Sequence, residues 1–373
     1  MVKEYTFINL FRAAAAFWVL LEHCLVWGGW HGIPLPPAKI GVDLFMIISG
    51  FLMAANATAR SAFEPLTTRR NWIRFWGRRF FRIAPAYYLS LAVAAVAGAH
   101  FLGGYAELQK LNPSPWPAGG VYDPARFEYS PGNILLHLSF LFGLHPTASF
   151  STFLPDWSLS LEMQFYAAFP LLFVVMRKFG IVKTALGLGL PVFILGYGIS
   201  ALVPYYEPSL LCFKLNYFLA GMVLYHVLAD NTGSRRRFVL AAAALLLVSI
   251  DLRYGVNLMV PPVLLMSMLT LGWLERTRRT PAWLEGVLDS RPVHFASDAS
   301  YGVYLFHGFF ISASGWLISG NATLLSLTPP RRVLFMLVFV TTLAYPLAYL
   351  VYRFVELPGI RFGKRMMGFI RNS

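Results

Sequence analysis

Ten long apolar runs limit what this chain can fold into more than any other feature of its sequence. A helix that crosses a bilayer needs about 20 mostly apolar residues, and runs of roughly that length recur along the whole chain. We therefore predict an all-α, polytopic membrane protein, with about ten transmembrane helices in one bundle and a single domain over residues 1–373. The runs cover approximately residues 8–27, 38–57, 84–103, 156–176, 181–203, 210–230, 238–254, 259–275, 299–319 and 333–352.

The composition excludes the soluble alternatives. Hydrophobic residues make up 57% of the chain and charged residues 13%, whereas a soluble domain has about 25% charged residues. So few charges cannot cover so much apolar surface in water. A soluble enzyme, a disordered chain and a nucleic-acid-binding protein are therefore excluded. We expect no cleavable signal peptide, because the first run carries Glu22 and His23 and lacks a small-residue cleavage site.

The basic residues predict an orientation in the membrane. The formal net charge is +14, and most Lys and Arg residues lie in loops that share one side if both termini lie there. Because cytoplasmic loops are enriched in Lys and Arg, we expect a bacterial inner-membrane protein with both termini in the cytoplasm. Arg331 and Arg332 are exceptions. The basic clusters fall within residues 60–82, 177–178, 235–237, 276–279 and 361–371.

Two segments on the opposite side differ from the spans. Residues 133–145 are apolar but only about 13 long, which is too short to cross a bilayer. We interpret them as a short helix that lies in, or dips from, the outer face. Residues 104–132 are rich in Pro, Gly and Tyr, and a lid over an acceptor site and a mere connector are equally compatible with them.

Several spans carry ionisable side chains, which cost about 2.5–3.5 kcal/mol each at bilayer depth and therefore usually face the bundle interior. Arg12 and His23 are eleven residues apart, so they share one helix face about 16 Å apart along the axis. Asp43 is predicted at the depth of His23, Glu162 in the outer third of its span, and His307 near the middle. Together these residues predict a polar shaft. A catalytic role is favoured for His23, whereas His307 could equally serve only to bond a neighbouring helix.

The arginine-rich run at residues 69–88 has two interpretations. Arg alternating with Trp and Phe is typical of an amphipathic helix on anionic lipid. However, Arg78, Arg79 and Arg82 also cluster at the mouth of the third span. Guanidinium groups in such a cluster can bind phosphates bidentately, as a phosphorylated, adenine-bearing cytosolic donor would require.

The sequence lacks the motifs of several other enzyme classes. The sequence has no Walker loop, GxGxxG or HExxH, which disfavours nucleotide hydrolysis, dinucleotide redox chemistry and zinc proteolysis. Cys24 and Cys212 both lie within apolar runs, so they form neither a disulfide framework nor a metal-binding spacing. We expect no metal.

Six sequence blocks, in order, resemble acyltransferase family 3, whose members are integral-membrane O-acyltransferases of glycans and related molecules. The blocks extend from residue 12 to residue 362 and so cover nearly the whole chain. They are Arg12 with His23, GVDLFMIISGFL at 41–52, RRFFRIAPAYY at 78–88, WSLSLEMQFYAAFP at 157–170, SYGVYLFH at 300–307 and VELPGIRF at 355–362.

The resemblance implies the substrates. The acyl donor is expected to be cytoplasmic acyl-CoA, with acetyl-CoA the most common donor in the family and succinyl or longer groups possible. The acceptor is expected to be a hydroxyl of an exported or lipid-linked saccharide. Membrane lipid and polysaccharide-synthesis proteins are further expected partners. Some relatives carry a C-terminal SGNH domain, whereas this chain ends about twenty residues after its last span, so we expect delivery to the acceptor directly or through a separate protein.

The resemblance also implies residue roles. Arg12, Arg78, Arg79 and Arg82 are implied to bind the donor. The catalytic candidates are His23, Asp43 and Glu162, and the substrate-binding candidates are Trp157, Ser160, Tyr301 and His307. Many members have Glu-Gln after a first Glu, whereas this chain reads Glu162, Met163, Gln164, so a role for the second acidic residue does not carry over.

These assignments give an expected mechanism with its alternatives. We expect His23 to act as general base on the acceptor hydroxyl, with Asp43 or Glu162 holding its imidazole. Alternatively, His23 takes the acyl group itself as a nucleophile, and the sequence does not choose between the two. The competing functions are a transporter or flippase for a lipid-linked saccharide and an acyltransferase that acts on a small exported metabolite.

Overall fold

The computed structural model describes residues 5–113, 127–230, 234–251, 255 and 257–372. Those residues form helices and connecting turns, with no strand among them. Two 3₁₀ turns (Phe142–Leu144 and Ala148–Phe150) and one π-helical turn (Tyr352–Glu356) accompany the α-helices. The α-helices are α1 Thr6–Gly28, α2 Ala38–Arg60, α3 Arg69–Leu111, α4 Pro131–Leu138, α5 Trp157–Phe179, α6 Ile181–Leu202, α7 Leu211–Ala229, α8 Ser234–Ser249, α9 Val260–Thr277, α10 Ala282–Leu288, α11 Arg291–Ser319, α12 Ala322–Leu325, α13 Pro329–Val351 and α14 Leu357–Asn372.

Eight helical stretches in the described ranges are long and apolar enough to cross a membrane, which confirms the predicted all-α, polytopic class. The runs at 238–254 and 259–275 form α8 and α9, which do not have the length and apolar content needed to cross a membrane. Helix α8 has only 16 residues, and α9 has 18 that include Glu275 and Arg276. The eight stretches are Thr6–Gly28, Ala38–Arg60, Arg69–Leu111, Trp157–Phe179, Ile181–Leu202, Leu211–Ala229, Ala282–Ser319 and Pro329–Phe369.

Helix α3 is much longer than the predicted span at 84–103. Its 43 residues extend about 65 Å at 1.5 Å per residue, roughly twice the hydrocarbon thickness of a bilayer. The hydroxyl of Thr68 caps its first turn by accepting the Asn71 backbone N–H. The arginine-rich run is therefore continuous with the span rather than a separate interfacial helix. Residues 104–111 of the predicted lid are also helical, and 114–126 lie outside the described residues.

The segment between α3 and α5 contains the expected short helix. Helix α4 has eight residues, about 12 Å in length, so it cannot cross a bilayer. Ser130 caps it by accepting the Asn133 backbone N–H at 3.3 Å, and Pro131 occupies a first-turn position, where its missing N–H costs nothing. This agrees with the interpretation of residues 133–145 as a short helix.

Helices α2 and α7 pack backbone to backbone at the centre of the bundle. A Cβ atom on Gly50 would overlap the carbonyl oxygen of Phe218, and one on Gly221 would overlap that of Ile47. Small residues allow such close approach of transmembrane helices. Gly50 and Gly221 therefore serve helix packing.

Candidate active site

Two histidines from different helices meet inside the bundle. His23 of α1 and His307 of α11 approach with His23 Nδ1 and His307 Nε2 3.0 Å apart. Their rings stack with centroids 5.0 Å apart and an interplanar angle of 26°. The sequence placed both side chains in the shaft but did not predict this contact. We call them the paired histidines.

The backbone of α11 sets the tautomer of the pair. His307 Nδ1 lies 3.0 Å from the Val303 carbonyl oxygen and 2.9 Å from that of Tyr304. Carbonyl oxygens only accept, so His307 Nδ1 carries the proton and, in a neutral pair, His307 Nε2 accepts the Nδ1–H of His23. The lone pair of His23 is then on Nε2. His307 is 2% exposed, whereas His23 retains accessible surface.

Asp43 does not hold the His23 imidazole, contrary to the sequence-based expectation. Its carboxylate forms a salt bridge with Lys214 of α7 at 2.9 Å, and Lys214 also lies 3.3 Å from Asp251. Tyr217 donates a further hydrogen bond to Asp251 at 3.2 Å. Because a buried ammonium requires nearby carboxylates, this cluster links α2 and α7 to the residues after α8.

Glu162 is also bonded elsewhere. Its carboxylate accepts hydrogen bonds from Ser49 at 2.7 Å and from the hydroxyl of Tyr166. The neighbouring acid of His23 along α1, Glu22, lies near the Ala38 backbone at the start of α2. The expected carboxylate partner of His23 is thus replaced by His307.

A central cavity lies between α1, α2, α3, α5 and α11. Arg12, Glu162 and Tyr301, all predicted site residues, line it. Tyr304 also lines it, and its ring lies 6.5 Å, centroid to centroid, from that of His307, so the paired histidines, which do not themselves line the cavity, lie next to one of its wall residues. Its other lining residues are Phe45, Ile48, Ser49, Leu52, Met53, Arg82, Ile83, Ser158, Leu159, Tyr166, Ser300 and Glu356.

A second, basic cavity opens near the start of α3. We call it the arginine cavity. Arg82 lines both cavities, so the two adjoin at that side chain. The lining residues are Asn56, Ala57, Arg60, Glu64, Leu66, Phe75, Arg78, Arg79, Arg82, Ile360 and Lys364.

The three predicted arginines differ in their surroundings. Arg78 is paired with Glu64 at 2.8 Å, and Glu64 also contacts Arg60 at 3.1 Å and Arg74 at 3.5 Å. The guanidinium of Arg79 stacks over the rings of Phe75 and Tyr166, and its buried Nε has no hydrogen-bond partner in the described part of the chain.

Arg79 and Arg82 are therefore better placed than Arg78 to bind an anion. The sequence treated the three arginines as equivalent because Glu64, which pairs with Arg78, lies in the preceding loop.

The predicted substrate-binding residues do not share one environment in the structure. Tyr301 lines the central cavity and donates to the Ile83 carbonyl at 2.9 Å, whereas Trp157 is buried and lines neither cavity. Ser160 is fully buried and donates to the Phe140 carbonyl at 2.6 Å. Ser160 therefore anchors the segment after α4 and does not face a substrate.

A third histidine lies in a network that we call the sealed network. The atom Nδ1 of His137 lies 2.7 Å from the Tyr87 hydroxyl and 3.1 Å from Asp156 Oδ2, while Nε2 lies 3.1 Å from Ser151 Oγ. Although this order of Ser, His and Asp matches a hydrolytic triad, none of these residues lines either cavity. Asn133 and Thr152 complete the network. It joins α3, α4 and the start of α5.

Sequence reasoning missed several residues at these sites. Lys214 and Asp251 lie in or beside apolar runs, so the cost of a charge in the membrane was a signal that could have identified them. Glu64, Glu356 and Lys364 lie outside the predicted apolar runs, where a charged residue is unremarkable, so the cost of a buried charge gave no such signal for them. Among the residues described, no group of three His, Cys, Asp or Glu could hold a metal ion.

Comparison with known proteins adds a family assignment to this geometry. A family model described as an acyltransferase domain matches residues 5–349. The chain is 27% identical over 304 residues to the acyltransferase MdmB of Streptomyces mycarofaciens, an alignment that covers 76% of this chain and 70% of MdmB. No solved structure matches.

Two further relatives are longer than this chain. The peptidoglycan O-acetyltransferase OatA of Listeria monocytogenes is 24% identical over 86% of this chain and 51% of OatA. The regulator of hypoxia-inducible factor 1 of Caenorhabditis elegans is 27% identical over 46% of this chain and 34% of that protein. The chain thus spans about half of OatA and a third of the nematode protein.

Proposed function

The chain belongs to the acyltransferase family whose domain it matches, and from that premise we propose that it transfers an acetyl group from acetyl-CoA to a hydroxyl of an exported or lipid-linked saccharide. The observation that carries the proposal is the juxtaposition of a basic cavity, a central cavity and the paired histidines. The arginine cavity suits the phosphates of a CoA thioester, and the paired histidines suit proton transfer from an alcohol. Arg82 and Tyr304 link the three regions.

The arginine cavity fits the anionic end of such a donor. Five of its lining side chains are basic and one, Glu64, is acidic. Arg79 carries a buried Nε–H without a partner within the described ranges, and buried donors are rarely left unpaired in a native protein. In the proposed complex, Arg79, Arg82 and Lys364 bind the phosphates through charge-assisted hydrogen bonds.

His23 supplies the base in this proposal. Its Nε2 takes the proton of the acceptor hydroxyl as the hydroxyl oxygen attacks the thioester carbonyl. The same nitrogen then returns the proton to the departing thiolate, so an ester and a free thiol are formed. General base catalysis of this kind contributes about 10²–10⁴ in rate. The Nε2 lone pair of His307 accepts the Nδ1–H of His23. This hydrogen bond stabilises the imidazolium of His23 and keeps its ring oriented.

The relatives support the class of acceptor. OatA is named for O-acetylation of peptidoglycan, which is a saccharide polymer outside the membrane, whereas the name of MdmB specifies no acceptor. We propose a saccharide hydroxyl on the side of the membrane opposite the arginine cavity. In the same proposal the protein lies in a bacterial inner membrane, with both termini and the arginine cavity on the cytoplasmic side. This orientation agrees with the distribution of basic loops.

The experiment is transfer of radiolabelled acetyl from acetyl-CoA in native membranes. Label is expected in a glycan fraction. Replacing both Arg79 and Arg82 with Ala should raise the KM for acetyl-CoA by about a hundredfold or more, because each of the two lost charge-assisted bonds contributes roughly 1.5–3 kcal/mol. Arg177→Ala, at an exposed position at the end of α5 outside both cavities, is the matched control.

Two outcomes would count against the proposal. Label that never leaves CoA would reject the activity, and an unchanged KM in the arginine variant would move the donor site elsewhere. Label that accumulates on His23 when acceptor is withheld would replace the general-base step with acyl transfer through the histidine.

A further inference from the structure

We propose that Glu356 accepts a hydrogen bond from an amide N–H of the pantetheine arm of the donor and thereby selects thioesters whose carrier has an amide. This inference rests on the proposed function, because it assigns a partner to a residue of the central cavity. It assigns a donor-specificity role to a glutamate that lies between α13 and α14.

The carboxyl group of Glu356 is buried and incompletely bonded. The residue is 6% exposed and lines the central cavity. Its Oε1 has no hydrogen-bond partner anywhere in the residues that the structure describes. A buried acceptor without a donor loses its hydration without compensation, and such groups in native proteins call for an explanation. A ligand donor in the cavity would supply the missing bond.

The backbone places Glu356 at this position by a local irregularity. Residues Tyr352–Glu356 form a π-helical turn between α13 and α14. A π turn inserts an extra residue into the helical repeat, and such turns are frequent at functional sites. Glu356 is the last residue of the turn and its one buried member.

The charges of the cavity favour a neutral polar partner. Glu356 interacts electrostatically with Arg82 and Arg12, but neither guanidinium bonds its Oε1. The central cavity has two basic side chains, Arg12 and Arg82, and two acidic ones, Glu162 and Glu356. It is therefore balanced, in contrast to the arginine cavity with five basic and one acidic. A phosphate suits the arginine cavity, whereas a secondary amide suits the central one.

The remaining walls match the same ligand. The pantetheine arm consists of two secondary amides separated by methylene groups and connects the phosphates to the sulfur. The central cavity combines Glu356 with apolar side chains from α2, α3 and α5, which suit the methylene groups. They are Phe45, Ile48, Leu52, Met53, Ile83 and Leu159. The cavity also lies between the arginine cavity and the paired histidines, where the arm of the donor must pass.

The test is a binding measurement by calorimetry on the purified, full-length protein in nanodiscs. Two ligands are compared: CoA, which has the arm, and 3′-phospho-ADP, which has the same phosphates without it. Glu356→Leu removes the charge and the acceptor, whereas Glu356→Gln removes the charge and keeps an acceptor oxygen. The difference between the two variants therefore isolates the hydrogen bond from the charge balance with Arg12 and Arg82.

We expect Glu356→Leu to bind CoA about tenfold more weakly than Glu356→Gln, with equal affinity of both variants for 3′-phospho-ADP. An equal loss of CoA affinity in both variants would show that the charge alone matters and would overturn the inference. So would a parallel difference for 3′-phospho-ADP, which would indicate a structural defect. Wild-type protein that binds neither ligand would instead reject the proposed donor, so the two failures are distinguishable.

Discussion

Two histidine clusters lie inside this helical bundle and differ in almost every physical respect. In the sealed network, His137 is fully buried and both of its ring nitrogens have polar partners. In the paired histidines, His23 keeps accessible surface, and its polar partner across the bundle is another imidazole. Neither cluster lines either cavity, but the ring of His307 lies 6.5 Å from that of Tyr304, which lines the central cavity.

The difference separates a structural histidine from a chemical one. A buried polar group whose bonds are all made stabilises one arrangement of the chain and has no capacity left for a substrate. A histidine with a fixed tautomer and a partly exposed side chain can exchange a proton. The geometry that resembles a triad thus belongs to the structural cluster, and the less familiar His–His pair belongs to the proposed catalytic one.

The largest effect that would test this comparison is the loss of activity in His23→Ala. We expect the rate to fall by about 10²–10⁴, because the base is gone, with a thermal denaturation midpoint close to that of wild type. Acetyl transfer per folded molecule is the measurement. His226→Ala is the matched control, because His226 lies in another span and bonds the Met222 carbonyl of its own helix. Normal turnover by His23→Ala would contradict the assignment.

The sealed network should respond in the opposite way. We expect His137→Ala to lower stability by about 3–5 kcal/mol, because it leaves the buried carboxylate of Asp156 and the Tyr87 hydroxyl with a lost partner. The denaturation midpoint in detergent and the rate per folded molecule should be measured together. A normal midpoint with abolished turnover would mean that His137, and not His23, does the chemistry.

His307 should behave as a positioning residue. His307→Phe keeps a planar ring but removes the acceptor for the Nδ1–H of His23. We expect kcat to fall by about 10–100-fold while the KM for acetyl-CoA stays constant, since an orienting bond is lost and no donor contact changes. A rise in KM without a change in kcat would place His307 in the donor site instead.

The smallest predicted effect is that of Tyr87→Phe. It deletes one hydroxyl that donates to Asp156 at 2.9 Å and leaves the ring packed. We expect a loss of about 1–3 kcal/mol in stability and an unchanged rate per folded molecule. A changed rate at unchanged stability would show that the sealed network is coupled to catalysis.

The sequence predicted the class of the fold because lipid imposes one-dimensional rules. Helix length and apolar content determine a span directly, and the short helix at 133–145 follows from the same rule. The extent of α3 did not follow from the sequence, because its N-terminal part lies outside the apolar stretch and is held by the Thr68 cap and by packing against α14. Likewise, the apolar runs at α8 and α9 form helices that are too short or too polar to count as membrane spans.

The residues of the site were predicted better than their pairing. The cost of charge in a membrane singled out Arg12, His23 and Asp43 one by one. Depth along separate helices suggested that His23 and Asp43 meet, but depth does not fix the rotation of one helix against another. That rotation depends on contacts such as those of Gly50 with α7, and it turns Asp43 toward Lys214.

The most direct measurement of the central claim is the protonation of the two ring nitrogens of His23 by solid-state NMR on protein with ¹⁵N-labelled histidine, assigned with the His23→Ala variant. The account predicts a proton on Nδ1, shared with His307 Nε2, and an unprotonated Nε2 at neutral pH. A proton on Nε2 with a bare Nδ1 would contradict it, because His23 would then have no accessible lone pair with which to accept a proton.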